Sequence, residues 1–238
     1  MLIIFIIFLS NAFMHSIVIP TLNEAGNIFE LISALKKAIH KRNVEIIVVD
    51  DLSDDETVKE VLKAKSMLSD SRFKVKLIVN RRRIGLSGSV FKGILASKGD
   101  RIIVMDADFQ HPVDVVPKLM KAKCTVAIAT RRDFDVSFVR YILYIITRLL
   151  FTLGLFLNNA PIVSDPSSGF FAFDRSILSR VERKRIVFNG WKILYDMLKQ
   201  LPRNTRICEI PYTFVGRKHG TSKISMAAFI SGFKSLLS

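Results

Sequence analysis

From Ser16 onward the chain alternates short runs of Val and Ile with amphipathic stretches, and few folds accommodate that alternation. Strands are expected at Ser16–Ile19, Glu45–Val49, Val75–Val79, Arg101–Met105 and Val126–Ala129. Between the first two, Ile28, Leu31, Ile32, Leu35 and Ile39 recur at helical spacing. Asn27 followed by Glu30, and Ser53 followed by Glu56, read as capping boxes that open the first two helices. Strands that are nearly all Val and Ile are apolar on both faces, so they belong in a sheet covered on both sides. The expected fold class is α/β, a Rossmann-like, mostly parallel central sheet flanked by helices.

Two apolar segments fall outside that pattern. Leu2–Leu9 is far shorter than the ~20 apolar residues of a membrane-spanning helix. It also lacks the positive flank and cleavage site of a signal peptide. A lipid-dipping anchor, an extra strand and a start codon placed too early, with Met14 the natural alternative, are its three readings. Residues 1–13 are therefore set apart as an extension, and 14–238 are expected to form a single domain. Within it, 14–110 would be a donor half and 111–238 an acceptor- and membrane-facing half. Tyr141–Leu157 is strongly apolar but carries Arg148 and Gly154. It reads as a buried or amphipathic helix, or as one of an interfacial pair. Its companion would be the stripe Met226, Phe229, Ile230, Phe233, Leu236 and Leu237, with Lys223 and Lys234 nearby.

Charge narrows the partners. Lys and Arg number 36 against 21 Asp and Glu, a formal charge of +15, which calls for nucleic acid, an anionic membrane surface or a phosphate-rich substrate. No RNP-like or helix-turn-helix pattern with interleaved aromatics is visible, so nucleic acid is not expected. Cys124 and Cys208 each lie in a strand-like run. Two cysteines make neither a disulfide scaffold nor a Cys-based zinc site, and they fit a reducing compartment. The four histidines never pair at metal-ligand spacing.

Open parallel sheets bind ligands beyond the carboxyl ends of their strands. Here strand one ends in Pro20–Glu24, strand two in Asp50-Asp51 and strand four in Asp106-Ala107-Asp108-Phe109-Gln110. No GxGxxG or GxxxxGK[ST] follows a strand, which argues against dinucleotides and P-loop chemistry. Two carboxylates one residue apart repel each other unless a cation joins them. Such hard oxygen ligands suit Mg2+ or Mn2+, completed by water and substrate phosphates. A nucleotide diphosphate bound through that ion is the economical explanation.

Several motifs then resemble a known family, over about Ser16 to the C-terminus. Ile19–Glu24, Val48–Thr57 and Gly85–Gly88 are similar to the family-two glycosyltransferases of GT-A fold. Asp106–Pro112, Asp165–Phe170 and Val215–Lys223 narrow the resemblance to the dolichol-phosphate mannose synthases. It implies inverting transfer of mannose from GDP-mannose to a polyprenyl phosphate, by a peripheral enzyme at the cytoplasmic face of a membrane. The same fold using UDP-glucose or another nucleotide sugar is the rival. Position by position, the resemblance implies Pro20, Leu22 and Glu24 at the nucleoside, and Val49 and Asp51 at base and ribose. Asp106, Asp108 and Gln110 would hold the metal, with Ala107 packed near the sugar nucleotide. Lys192, Arg131 and Arg217 would face phosphates, the last two with Ser222 and Lys223 on the acceptor side. Asp108 and Arg217 are the catalytic candidates.

Departures from the family pattern are specific. Leu52 and Glu56 stand where glycines are usual, Phe171 where Arg is common, and Asp196 in place of Glu. Arg81–Arg83 is left unassigned, His111 before Pro112 is expected to shape a turn, and Asp165 to order an acceptor-side loop or serve as a cap. The chemistry itself makes modest demands. A phosphate monoester is already anionic near neutral pH, so the site must chiefly orient two anionic groups and neutralise them.

Overall fold

A computed structural model describes residues 13–39, 42–134, 138–188, 190 and 192–214. Leu2–Leu9, Arg217, Ser222, Lys223 and the C-terminal apolar stripe lie outside the described residues. The chain builds β1 (His15–Thr21), α1 (Ile28–Ala38), β2 (Val44–Asp50), α2 (Thr57–Leu68), β3 (Phe73–Val79), α3 (Gly85–Ala96) and β4 (Arg101–Val104). It continues through α4 (Val116–Lys121), β5 (Val126–Phe134), α5 (Phe138–Leu157), β6 (Phe171–Asp174), α6 (Ile193–Leu198) and β7 (Ile207–Phe214).

The strands form one sheet in the order β3-β2-β1-β4-β6-β5-β7. Pairing is parallel from β3 through β4 and between β5 and β7, while β6 runs antiparallel to both of its neighbours. Strand periodicity divides the core into two layers. Ile17, Ile19, Ile46, Val48 and Ile103 face α1 and α2, meeting Leu31, Ile32, Leu35 and Val61. Val18, Ile102 and Val104 face the other side, with Val90 and Ile94 of α3 and Phe151 and Leu155 of α5. Each such side chain taken fully out of water contributes about 1.5–3 kcal/mol. The expected α/β architecture is what forms. Gly93 lets α3 lie close to the sheet, because a Cβ there would come within 2.4 Å of Val18.

Three expectations change. Strand β6, four residues long, was not anticipated, and β7, which carries Pro211 and polar residues, was marked only by the strand-like run around Cys208. Neither capping box forms. Asn27 makes no cap bond and instead donates to Glu24, and Ser53 donates its hydroxyl to Asp50. Asp55 serves the start of α2 by accepting the Thr57 N–H. Cys124 and Cys208, read as separate thiols, are bonded to each other, with Cα atoms 6.0 Å apart. The parallel β5–β7 pairing sets Cys208 opposite Ala127 and so brings it to Cys124.

The Tyr141–Leu157 segment is helical within α5, but it is not simply buried. Thr147, Phe151 and Leu155 face inward, whereas Ile146, Leu149, Leu153, Phe156 and Leu157 are exposed. The helix ends where Asn159 takes a left-handed φ of 51° and the Ala160 N–H returns to the Leu155 carbonyl, a Schellman-type stop. Among the described residues no helix is long and apolar enough to cross a membrane.

Candidate active site

Strand order reverses at β1, which has β2 on one side and β4 on the other. The crevice beyond that point is where an open α/β sheet takes a ligand. Three loops bound it, and each turns on a left-handed residue other than glycine: Asn23 at φ 55°, Leu52 at 61° and Phe109 at 62°. Such a residue costs roughly 1–2 kcal/mol, so the surroundings must hold it.

The first two loops are stapled together. The Asn23 N–H donates to Ser53 Oγ at 2.8 Å, and the Asp54 N–H to Asn23 Oδ1 at 3.0 Å. The Glu24 N–H donates to Thr57 Oγ1 at 2.8 Å, and the Ala25 N–H to Asp55 at 3.1 Å. Pro20 is buried near the end of β1, beyond Val18, the last residue paired with β4, and Leu22 and Glu24 are half-buried in the loop that follows. Asp51 is buried and already occupied. Its carboxylate accepts from Asn80 Nδ2 at 2.8 Å and from the Ile84 and Gly85 N–H groups at 2.9 Å, where α3 begins. It thereby satisfies donors that a helix start leaves open. Val49 and Ala107 are fully and nearly fully buried. The Val49 side chain lies under α3 against Gly93, and the Ala107 methyl belongs to the core. Alternation along β2 turns the Val49 side chain towards α3, while Ala107 lies in the loop that follows β4.

Asp106 and Asp108 follow β4. The Gln110 N–H donates to Asp108 Oδ1 at 3.1 Å, closing a tight turn beside the pair. His111 is buried, and its Nδ1 accepts the Asp106 N–H at 2.9 Å. Burial pulls its pKa down to about 4 against the attraction of Asp108, so the ring is neutral near pH 7. Gly169 faces this loop, where a Cβ would sit 3.4 Å from Asp106 Oδ2. Its absence leaves the carboxylate open. No third His, Cys, Asp or Glu completes a metal cluster among the described residues. Asp106 is half-buried and Asp108 buried, and such a pair of carboxylates fits an ion such as Mg2+ or Mn2+ that takes its remaining oxygens from substrate and water.

The facing wall is cationic. Arg131 on β5 grips Asp165 with two bonds of 2.8 Å and reaches Ser167 Oγ at 2.8 Å. The guanidinium lies over the Tyr144 ring of α5, 4.9 Å from its centroid. Burial pushes the Asp165 carboxyl up, but Arg131 overrides it and holds the group below its ordinary range. Lys192 Nζ lies 4.1 Å from the Phe151 ring centroid. Burial, reinforced by Arg131, lowers its pKa well below the usual lysine value. Burial raises the pKa of the Tyr212 hydroxyl, which stands in the fields of Arg131, Asp165 and Asp106 and so links the two walls. Tyr144, Tyr212 and Asn80 were not picked out from sequence. Each is joined to the site by a contact across the sheet or the crevice, and an aromatic residue in an apolar run carries no local mark of that.

Residues 16–182 match the model of glycosyl transferase family 2. The dolichol-phosphate mannosyltransferase of Pyrococcus furiosus is 36% identical over 88% of this chain, which spans 58% of that relative's length. The enzyme of that name from Saccharomyces cerevisiae is 32% identical over 93% of the chain and 85% of its own length. The one from Mycosarcoma maydis is 33% identical over 88% and 73%. Glucosyl-3-phosphoglycerate synthase of Mycobacterium tuberculosis, crystallised with UDP, superposes with a TM-score of 0.66 at 17% identity. That match covers 96% of this chain and 80% of the other. A second crystal of that enzyme holds Mg2+ and UDP, with a TM-score of 0.66 at 18% identity over 96% and 79% of the two chains. These structural likenesses establish the GT-A fold. From the family match and the identities together, the chain belongs to glycosyl transferase family 2.

Proposed function

We propose that this chain transfers mannose from GDP-mannose to a dolichyl or other polyprenyl phosphate, inverting the anomeric centre, at the cytoplasmic face of a membrane. What carries the reading is the meeting of two charge systems at one end of the sheet: Asp106 and Asp108 in the loop after β4, and the Arg131–Asp165 pair with Lys192 near them. The names of the three relatives support mannose as the transferred sugar and a dolichyl phosphate as the acceptor class. Asp106 and Asp108, with Gln110 beside them, would hold a divalent ion. When bound, that ion supplies polarisation of the departing diphosphate, worth several kcal/mol.

The rest falls to the chain's own residues. The acceptor phosphate is anionic near pH 7, so its oxygen can attack C1 without a general base. The C1–O bond to the donor diphosphate breaks as the new one forms, and GDP leaves. Arg131, aimed by Asp165 and Ser167, and Lys192 neutralise the two phosphates as they approach. Leu22 and Glu24 border the nucleoside pocket, Arg217, Ser222 and Lys223 complete the acceptor side, and Asp51 shapes the pocket by fixing the start of α3. The exposed apolar stripe of α5 rests on the membrane, bringing the crevice to the lipid headgroup.

The deciding experiment incubates the protein with dolichyl phosphate and labelled GDP-mannose, UDP-glucose or UDP-N-acetylglucosamine, and follows label into lipid extract. Transfer from GDP-mannose alone is the expected result. Transfer from a UDP-sugar instead would keep the reaction class and replace the donor, and no lipid label from any donor would overturn the reading.

A further inference from the structure

Asp106 does not keep its place unaided. Its backbone N–H donates to His111 Nδ1, 2.9 Å away. Nδ1 is therefore the acceptor of the neutral ring, and the ring proton sits on Nε2. Nε2 in turn lies 3.7 Å from Asp106 Oδ2, beyond hydrogen-bond length. The ring has little freedom to turn. It stacks on Phe170 with centroids 4.8 Å apart and planes 16° from parallel. Tyr212 meets it edge-on at 6.2 Å. The left-handed Phe109 lets the chain double back so that residue 111 can reach residue 106. Gly169 brings the opposite loop near both, since a Cβ there would lie 3.4 Å from His111 Cε1 and from Asp106 Oδ2 alike.

A turn-shaping histidine would need only its bulk and the proline that follows it. This ring does more, because its Nδ1 accepts the main-chain N–H of Asp106. We infer that His111 is a positioning residue of the cation site, fixing the Asp106 backbone through Nδ1, so that the Asp106/Asp108 pair is set before a divalent ion arrives. The inference rests on the proposed metal-dependent transfer and adds to it a requirement of its own.

The test reads metal binding without turnover. Mn2+ affinity is measured by electron paramagnetic resonance on the full chain with GDP present, alongside GDP affinity in EDTA and circular dichroism to verify folding. His111→Phe keeps a ring against Phe170 but has no nitrogen. Its Mn2+ affinity should fall about ten- to hundredfold, the usual effect of removing a group that orients a metal ligand, while metal-free GDP binding stays as in wild type. His111→Asn offers Oδ1 near the place of Nδ1 and should recover most of that loss. A folded His111→Phe protein that binds Mn2+ like wild type overturns the inference, as does an Asn variant no better than the Phe one. Should the Phe variant fail to fold, the Asn variant decides alone: near-wild-type Mn2+ affinity supports the role and a large loss overturns it. Wild-type protein that binds no Mn2+ beside GDP defeats the metal reading itself, a failure distinct from that of either variant.

Discussion

Leu52 stands at φ 61° where related sequences usually carry glycine, and it is largely exposed. The left-handed conformation therefore persists here without the residue that adopts it freely. Leu52→Gly should raise stability by up to about 1 kcal/mol, the strain relieved less the entropy of a more flexible unfolded chain. Urea unfolding with an unchanged slope would show it as a higher midpoint. For chemistry, Asp108→Asn preserves shape but weakens a hard-ion ligand, so turnover should drop at least about a hundredfold while GDP binding in EDTA persists. Near-normal transfer by that variant in EDTA would remove the metal from the mechanism. Lys192 supplies a pH signature. Its folded pKa lies below the ordinary 10.5, so between those two values the unfolded chain binds more protons. Stability then rises as pH climbs towards 10.5 and is lost as pH falls towards the folded pKa. Lys192→Met should flatten that rise in urea midpoints taken from pH 7 to 10. At this scale Asp106 and Asp108 were legible because two carboxylates after a Val/Ile strand are anomalous on sight. The bond from Arg131 to Asp165 was not, because 34 residues separate its partners. Nor was the engagement of Asp51 with the start of α3, which Asn80, Ile84 and Gly85 supply from a later loop.

Among the elements, unbroken apolar runs were the legible ones, and the four-residue β6 was missed although three of its residues are buried. Strands β1, β2 and β4 announced themselves because every position faces a core layer. Strand β7, at the sheet edge, carries a mixed pattern with Pro211 and the exposed Glu209, the usual disguise of an edge strand. The helix starts misled for a different reason: side chains that match a capping box bond back within their own loops, Asn27 to Glu24 and Ser53 to Asp50. Helix α5 is the element whose role most needs testing. Its outward stripe of Ile146, Leu149, Leu153, Phe156 and Leu157 is exposed, while its inner face touches Lys192 and Arg131 through Phe151 and Tyr144. Leu149→Glu combined with Leu153→Glu should leave stability within about 0.5 kcal/mol per exposed site and yet abolish flotation with liposomes. Full flotation of the double variant would assign attachment to another part of the chain.

For the molecule as a whole, a charge of +15 adds a long-range attraction to that local apolar one. Each cation near an anionic bilayer contributes about 1 kcal/mol, and salt screens this part alone. Flotation with phosphatidylserine vesicles should therefore weaken, but not vanish, at high salt; complete release would mean that charge does all the holding. The sheet has a consequence for how the chain can be divided. Strand β4 carries the two carboxylates at its end, yet its second neighbour is β6, written in the sequence only at Phe171–Asp174 and laid in against the grain. A fragment ending between Phe109 and Phe170 would contain the nucleoside loops and both acids, and would leave β4 with a bare Val/Ile edge. Such an edge recruits foreign strands, so these fragments should aggregate. Gene fusions or truncations that aim to harvest the donor half as a portable module must carry the chain through β6 to be soluble.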